Sequence, residues 1–271
     1  MLADLFKLQM DLVGARGELA AGLAGGWLLK RVAPQGQGRP VITFPGFMAS
    51  ELTLVRLNSF LGSNGFAARG WGQGRNLGPQ EKSWDDYLEE LHRKSGDLIK
   101  RLADEHGEPV SLIGQSLGGL VVRELGQMYP DHVDRVLMLG SPTFHPYLRG
   151  GDNRFVAALG YWVNRRSHME LAGRGGLLHW DADHPPVPSI AFHSPIDGVV
   201  DEKSSMIPSY IVDSCDPAAP RENVRVFSTH VGMGVNPWVL LAIADRLVQE
   251  RADWQAFDPY DYFPKRIHGA I

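Results

Sequence analysis

The sequence predicts an α/β fold with a mostly parallel central sheet and helices on both of its faces. Three observations carry that expectation. Short apolar runs of strand length recur at 41–44, 109–113, 135–139, 189–192 and 224–227. Segments with helical spacing of apolar residues alternate with them, the arrangement of a parallel sheet buried on both sides. A chain of 271 residues, 44% of them hydrophobic and 21% charged, suits one large domain with a substantial core.

Residues 1–39 form an N-terminal helical segment. Its first 33 residues are rich in Leu, Ala and Gly, but Asp4, Asp11, Arg16 and Glu18 break every apolar run before it reaches membrane-spanning length. An acid at position 4 is also unlike the positive start of a secretory signal. Leu2, Leu5, Phe6, Leu8 and Leu12 instead suggest an amphipathic helix. It is expected to pack on the domain or on a sister subunit, in preference to lying on a membrane surface.

The main domain is expected over 40–250. Val41-Ile42-Thr43-Phe44 reads as a buried strand that stops at Pro45-Gly46. Helical spacing follows over 52–64, then a short second strand at 66–68 and a glycine-dense loop at 70–74. Ser83 caps a long amphipathic helix with Asp85 and Asp86 in its first turn and Gly107 at its end. The run at 109–113 is the clearest central strand, followed by a helix over 116–129 and the next strand at 135–139. A long insertion at about 143–186 then stands where another helix is due, and reads as a lid or cap over the strand ends. Strands at 189–192 and 224–227 and a helix over 237–249 complete the domain. The tail, 251–271, carries Trp254, Phe257, Tyr260, Tyr262 and Phe263, too many aromatics to remain in water, and should pack against the domain or a partner.

Composition excludes several classes of function. The net charge is −4, and no basic stripe with interleaved aromatics suggests nucleic acid. The single cysteine, Cys215, excludes an intrachain disulfide and a cysteine-rich zinc site, and fits a reducing, cytoplasmic setting. Gly70-Trp71-Gly72-Gln73-Gly74 lacks the spacing of a nucleotide-binding loop. The cluster His179-Trp180-Asp181-Ala182-Asp183-His184 reads as a solvated loop, so no metal site is assigned.

The sharpest chemical signal is Gly114-Gln115-Ser116-Leu117-Gly118, set between the best strand and a good helix. A nucleophile needs such a sharp turn to project its oxygen from the sheet edge, and flanking glycines keep strand and helix from colliding there. A serine hydroxyl needs a base. His230 follows the last strand and precedes the last helix, where the loop faces the carboxyl ends of the strands. Asp197, in Asp197-Gly198-Val199-Val200, sits just past the strand at 189–192 and can orient the imidazole. The Leu117 N–H is one expected oxyanion donor. The Phe47 N–H, just past Pro45-Gly46, is the other, with Met48 behind it. Met48, Gln115 and Trp162 are the expected substrate-binding residues; Trp162 belongs to an apolar stretch of the insertion that should wall the acyl side of the pocket.

These motifs, with Leu139-Gly140-Ser141-Pro142 and Ser228-Thr229-His230-Val231-Gly232, resemble the α/β-hydrolase superfamily, and within it bacterial lipase- and esterase-type members. The similarity runs from about Pro40 to Glu250. One departure is Pro45-Gly46, where many such lipases have His-Gly. The resemblance implies a serine hydrolase that cleaves carboxylic esters, of small molecules or lipids, through an acyl-enzyme on Ser116 and without a cofactor. An amidase or acyltransferase could use the same residues, and a non-catalytic binding protein of this fold is the remaining alternative.

Overall fold

A computed structural model describes residues 2–142 and 184–262. The expected insertion, apart from its last residues, lies outside them, as do Trp162 and the end of the tail.

Six strands form one sheet: β1 (Pro40–Phe44), β2 (Ala67–Gly70), β3 (Val110–Gln115), β4 (Val133–Leu139), β5 (Ser189–His193) and β6 (Arg221–Arg225), in the order β2-β1-β3-β4-β5-β6. Every pairing is parallel. Side chains alternate between two cores, as the period of two in a strand requires. Ile42, Leu112, Val136 and Ala191 join one core, and Val41, Ile113, Leu137 and Ile190 the other. Helices α4 (Trp84–Leu91), α5 (Asp97–His106) and α6 (Leu117–Met128) cover the first face. On the second lie α2 (Gly26–Val32), α3 (Val55–Ser63) and α8 (Pro237–Val248). A short α7 (Ser209–Asp213) adds Ile211 to the first core.

Three elements differ from the sequence expectation. The last strand is Arg221–Arg225, three residues earlier than the apolar run at 224–227, and Phe227 is largely exposed. The strand can begin on charged residues because Glu222 is buried in an ion pair with Arg246 of α8, at 2.6 Å. Secondly, the long helix capped by Ser83, whose hydroxyl accepts from Asp86 N at 2.9 Å, is broken by a π turn at His92–Gly96. Tyr129 occupies the space there: a methyl group on Gly96 would come within 2.1 Å of its phenolic oxygen, which donates instead to the His92 carbonyl.

The third difference concerns the N-terminal helix, α1 (Leu2–Ala24). It forms and lies on the domain, but of the expected apolar side chains among the described residues only Leu5 and Leu8 are even half-buried. Phe6, Met10, Leu12, Val13 and Leu23 face outward, and the buried stripe is Asp11, Ala15 and Gly22 with half-buried Gly14 and Glu18. Small residues permit close approach: a methyl group on Gly22 would meet the Val235 carbonyl at 2.7 Å, and one on Gly14 the Thr229 methyl at 2.5 Å. At the other end of the chain Trp254, Phe257 and Tyr262 pack against the second core, while Tyr260 stays exposed. The Arg246 guanidinium lies 5.2 Å from the Trp254 ring centroid, a cation–π contact.

Candidate active site

β3 delivers Ser116 at its carboxyl end, and the chain turns at once into α6. The serine has φ 53° and ψ −119°, a conformation that L-residues rarely adopt, and its N–H is held by the Leu139 carbonyl at 2.9 Å. The turn is crowded on all sides. A methyl group on Gly114 would lie 2.1 Å from the Gly118 carbonyl oxygen, and one on Gly118 would lie 2.3 Å from that of Phe44. Both glycines are therefore required by backbone approach, as the motif implies. As the first residue of α6, Leu117 has an N–H that its own helix cannot satisfy.

The turn after β1 lies against the serine: a methyl group on Gly46 would be 3.1 Å from Ser116 Cβ. Buried Asn76 braces this turn. Its side-chain amide donates to the Pro45 carbonyl at 2.8 Å, and its backbone carbonyl accepts from Met48 N at 2.6 Å. Met48 has φ 59°, and its N–H is thus already engaged, whereas its side chain is exposed. Sequence reasoning missed Asn76, for which a lone loop asparagine gives no signal.

The loop after β5 carries Asp197 and the loop after β6 carries His230. His230 Nδ1 lies 2.8 Å from Asp197 Oδ2, with the two side chains 9% and 1% exposed. Asp197 Oδ1 accepts from the N–H groups of Val199 and Val200, both at 2.8 Å, so both carboxylate oxygens are committed. The imidazole is thereby oriented through Nδ1, leaving Nε2 as its remaining nitrogen. Gln115, expected to bind substrate, donates its amide to the His230 carbonyl at 2.9 Å and ties the serine turn to the histidine loop.

Two carboxylates that the sequence reading used only as breaks in an apolar run also meet this loop. Asp11 Oδ2 accepts from His230 N at 2.6 Å and Gly198 N at 3.0 Å, and Asp11 Oδ1 from Val231 N at 2.9 Å. Glu18 accepts from Thr229 N and Asn236 Nδ2, both at 2.8 Å. Their spacing of seven places them on one helix face, which is the signal that was available.

His193, at the end of β5, makes a separate pair with Glu202, Nδ1 to Oε1 at 3.2 Å. Burial holds its pKa below the ordinary histidine value despite that carboxylate. Among the described residues no cluster of His, Cys, Asp and Glu is suited to a metal ion, and no helix is long and apolar enough to cross a membrane.

A parallel sheet with a strained serine between strand and helix, and an Asp–His pair on later loops, defines an α/β-hydrolase. The family model described as serine aminopeptidase, S33, matches residues 39–204, more than half of the chain, and the chain belongs to that family of hydrolases. Comparison with curated proteins gives no match. Among solved structures, a soluble variant of monoglyceride lipase from Saccharomyces cerevisiae, in complex with a substrate analog, superposes with a TM-score of 0.59 and 14% identity over 79% of this chain and 88% of that one. A monoacylglycerol lipase of Paleococcus ferrophilus gives 0.54 and 16%, covering 78% of this chain and 96% of that one. Lipase BlEst2 from Bacillus licheniformis gives 0.51 and 14%, over 79% and 94%. At such identities these likenesses establish the shared fold.

Proposed function

We propose that the protein hydrolyses carboxylic esters of small molecules or lipids through an acyl-enzyme on Ser116. The observation that carries this reading is the Asp197–His230 pair at 2.8 Å, on loops at the same sheet edge as the strained Ser116. His230 takes the Ser116 proton through Nε2 as the serine oxygen attacks the ester carbonyl, and Asp197 steadies the imidazolium that forms. The N–H groups of Leu117 and Phe47 receive the oxyanion; Met48 is less suited because its N–H is engaged by Asn76. His230 then protonates the departing alcohol. Water, deprotonated by the same base, attacks the acyl carbonyl, and the acid leaves as Ser116 regains its proton. Esters are favoured over amides because the lipases of this fold named above act on such substrates, and an alcohol leaves more readily than an amine.

A lipid interface is favoured as the place where such an ester is met. The outward face of α1 presents Phe6, Met10, Val13 and Leu23 beside exposed Lys7 and Arg16, which suits an anionic lipid surface. Replacing Phe6 and Met10 by serine should abolish co-sedimentation with anionic vesicles while leaving turnover of a water-soluble ester unchanged; retained co-sedimentation would refute this.

The reaction is tested with p-nitrophenyl esters of increasing chain length. Wild type should turn over at least one of them, and Ser116→Ala should lose that turnover. Hydrolysis that survives the substitution would overturn the assignment.

A further inference from the structure

We infer that Asp11 and Glu18 of the N-terminal helix α1 are positioning residues for His230, so that the helix forms part of the catalytic apparatus. The inference rests on the serine-hydrolase reading above.

The segment from Ser228 to His230 belongs to neither sheet nor helix, and His230 caps a single 3₁₀ turn, Val231–Gly234. A loop of that kind holds a side chain in place only if its backbone is held. Four successive N–H groups point to acceptors. Thr229 N reaches Glu18 Oε1 at 2.8 Å, His230 N reaches Asp11 Oδ2 at 2.6 Å, Val231 N reaches Asp11 Oδ1 at 2.9 Å, and Gly232 N reaches Thr229 Oγ1 at 3.1 Å. Three of the four are thus satisfied by carboxylates of one helix. Asp11 Oδ2 also accepts from Gly198 N at 3.0 Å, the residue after Asp197. A single carboxylate therefore grips the backbones of both the acid and the base, and sets their separation.

Burial makes this grip matter. Asp11 is 2% exposed, so the donors it satisfies have no ready replacement in water. Hydrogen bonds to a charged acceptor are also the stronger kind. The helix is built for this purpose rather than for apolar packing: its buried stripe alternates acids with small residues, and Ala15 and Gly22 let it settle against the loop. A purely solvated acid face would turn Asp11 and Glu18 outward and Phe6, Met10 and Val13 inward. The reverse is found.

Neither residue is proposed to touch the substrate. Loosening the loop moves the imbedded imidazole relative to Ser116, and misplacement by about 1 Å is enough to cost about a hundredfold in rate. The experiment compares wild type, Asp11→Asn and Glu18→Gln by the rate at which a fluorophosphonate probe labels Ser116, and by kcat and KM on the best p-nitrophenyl ester. Each protein is measured at a temperature where circular dichroism shows it folded. Asparagine keeps the shape of Asp11 but turns an N–H₂ toward a backbone donor. Asp11→Asn should label at least about tenfold more slowly, with kcat lowered and KM nearly unchanged. A merely structural role would lower the melting temperature and leave both rates of the folded protein intact, and that result overturns the inference. If Asp11→Asn does not fold, folded Glu18→Gln decides: labelling slowed at least about threefold supports the role, and wild-type labelling overturns it. A wild type that no fluorophosphonate labels would overturn the hydrolase reading and this role together; a labelled wild type with unaltered variants would overturn this role alone.

Discussion

Gly140 stands directly behind His230: a methyl group added to it would lie 3.1 Å from His230 Nδ1 and 2.9 Å from Asp197 Oδ2. It also has φ +54°, which an L-residue adopts only at a cost of about 1–2 kcal/mol. Gly140→Ala therefore pushes on the Asp–His pair itself. We expect kcat to fall about a hundredfold while the melting temperature drops by a few degrees. Steady-state kinetics and a thermal melt check this; unchanged kcat would show that the pair tolerates displacement.

Asp197→Asn should be more severe. The substituted amide can keep one acceptor for Val199 N and Val200 N, but it then turns N–H₂ toward His230 Nδ1 and reverses the tautomer. A loss in kcat of about 10³–10⁴ with KM little changed is expected, on the pattern of such triads. A loss below about tenfold would argue for another acid.

Gln115→Leu separates two readings of one residue. The sequence placed Gln115 at the substrate, and the structure gives its amide to the His230 carbonyl at 2.9 Å. Removing the donor strands a buried carbonyl, worth about 1–3 kcal/mol. We expect kcat to fall with KM steady and the melting temperature to drop. A raised KM at constant kcat would restore the substrate-binding role.

His193 provides a pH-dependent stability. Burial lowers its pKa in the folded state, with Glu202 opposing that shift and Arg225 adding to it. A histidine whose folded pKa lies below its unfolded value leaves the folded state fully stable above that unfolded value, about 6.5. Stability is lost as the pH falls below it toward the folded pKa, because the unfolded chain binds the proton first. The melting temperature should therefore fall between about pH 7.5 and 5.5, and fall less in His193→Gln. Equal falls in both proteins would remove His193 from the account.

Local chemistry made much of this legible in the sequence. Gly114 is demanded by a contact within the turn itself, with the Gly118 carbonyl, so the motif and its setting on β3 and α6 could be read together, whereas Gly118 answers to the distant Phe44 carbonyl. β1, β3, β4 and β5 were visible because each holds a short apolar run; β2, with Arg69 and Gly70 at its end, was met only in part by the strand expected at 66–68. β6 was misplaced because its first residues, Arg221 and Glu222, are charged yet buried, Glu222 by its pair with Arg246 of α8. Asp11 was the largest omission. Its acceptor role depends on His230 and Val231, 219 and 220 positions away, and an acid in a helix ordinarily faces water. Apolar periodicity could point to a helix there but not to its buried stripe: Phe6 and Leu12 are exposed, Leu5 and Leu8 only half-buried, and small residues and carboxylates make the closest contacts.

The central claim is that an acyl group passes through Ser116, and rapid-quench mass spectrometry tests it most directly. Wild-type protein mixed with its best p-nitrophenyl ester and acidified within the first turnovers should carry one acyl group, mapped to the peptide containing Ser116, and Ser116→Ala should carry none. An acyl group on a different residue, or a Ser116→Ala protein that still turns the ester over, would contradict the account.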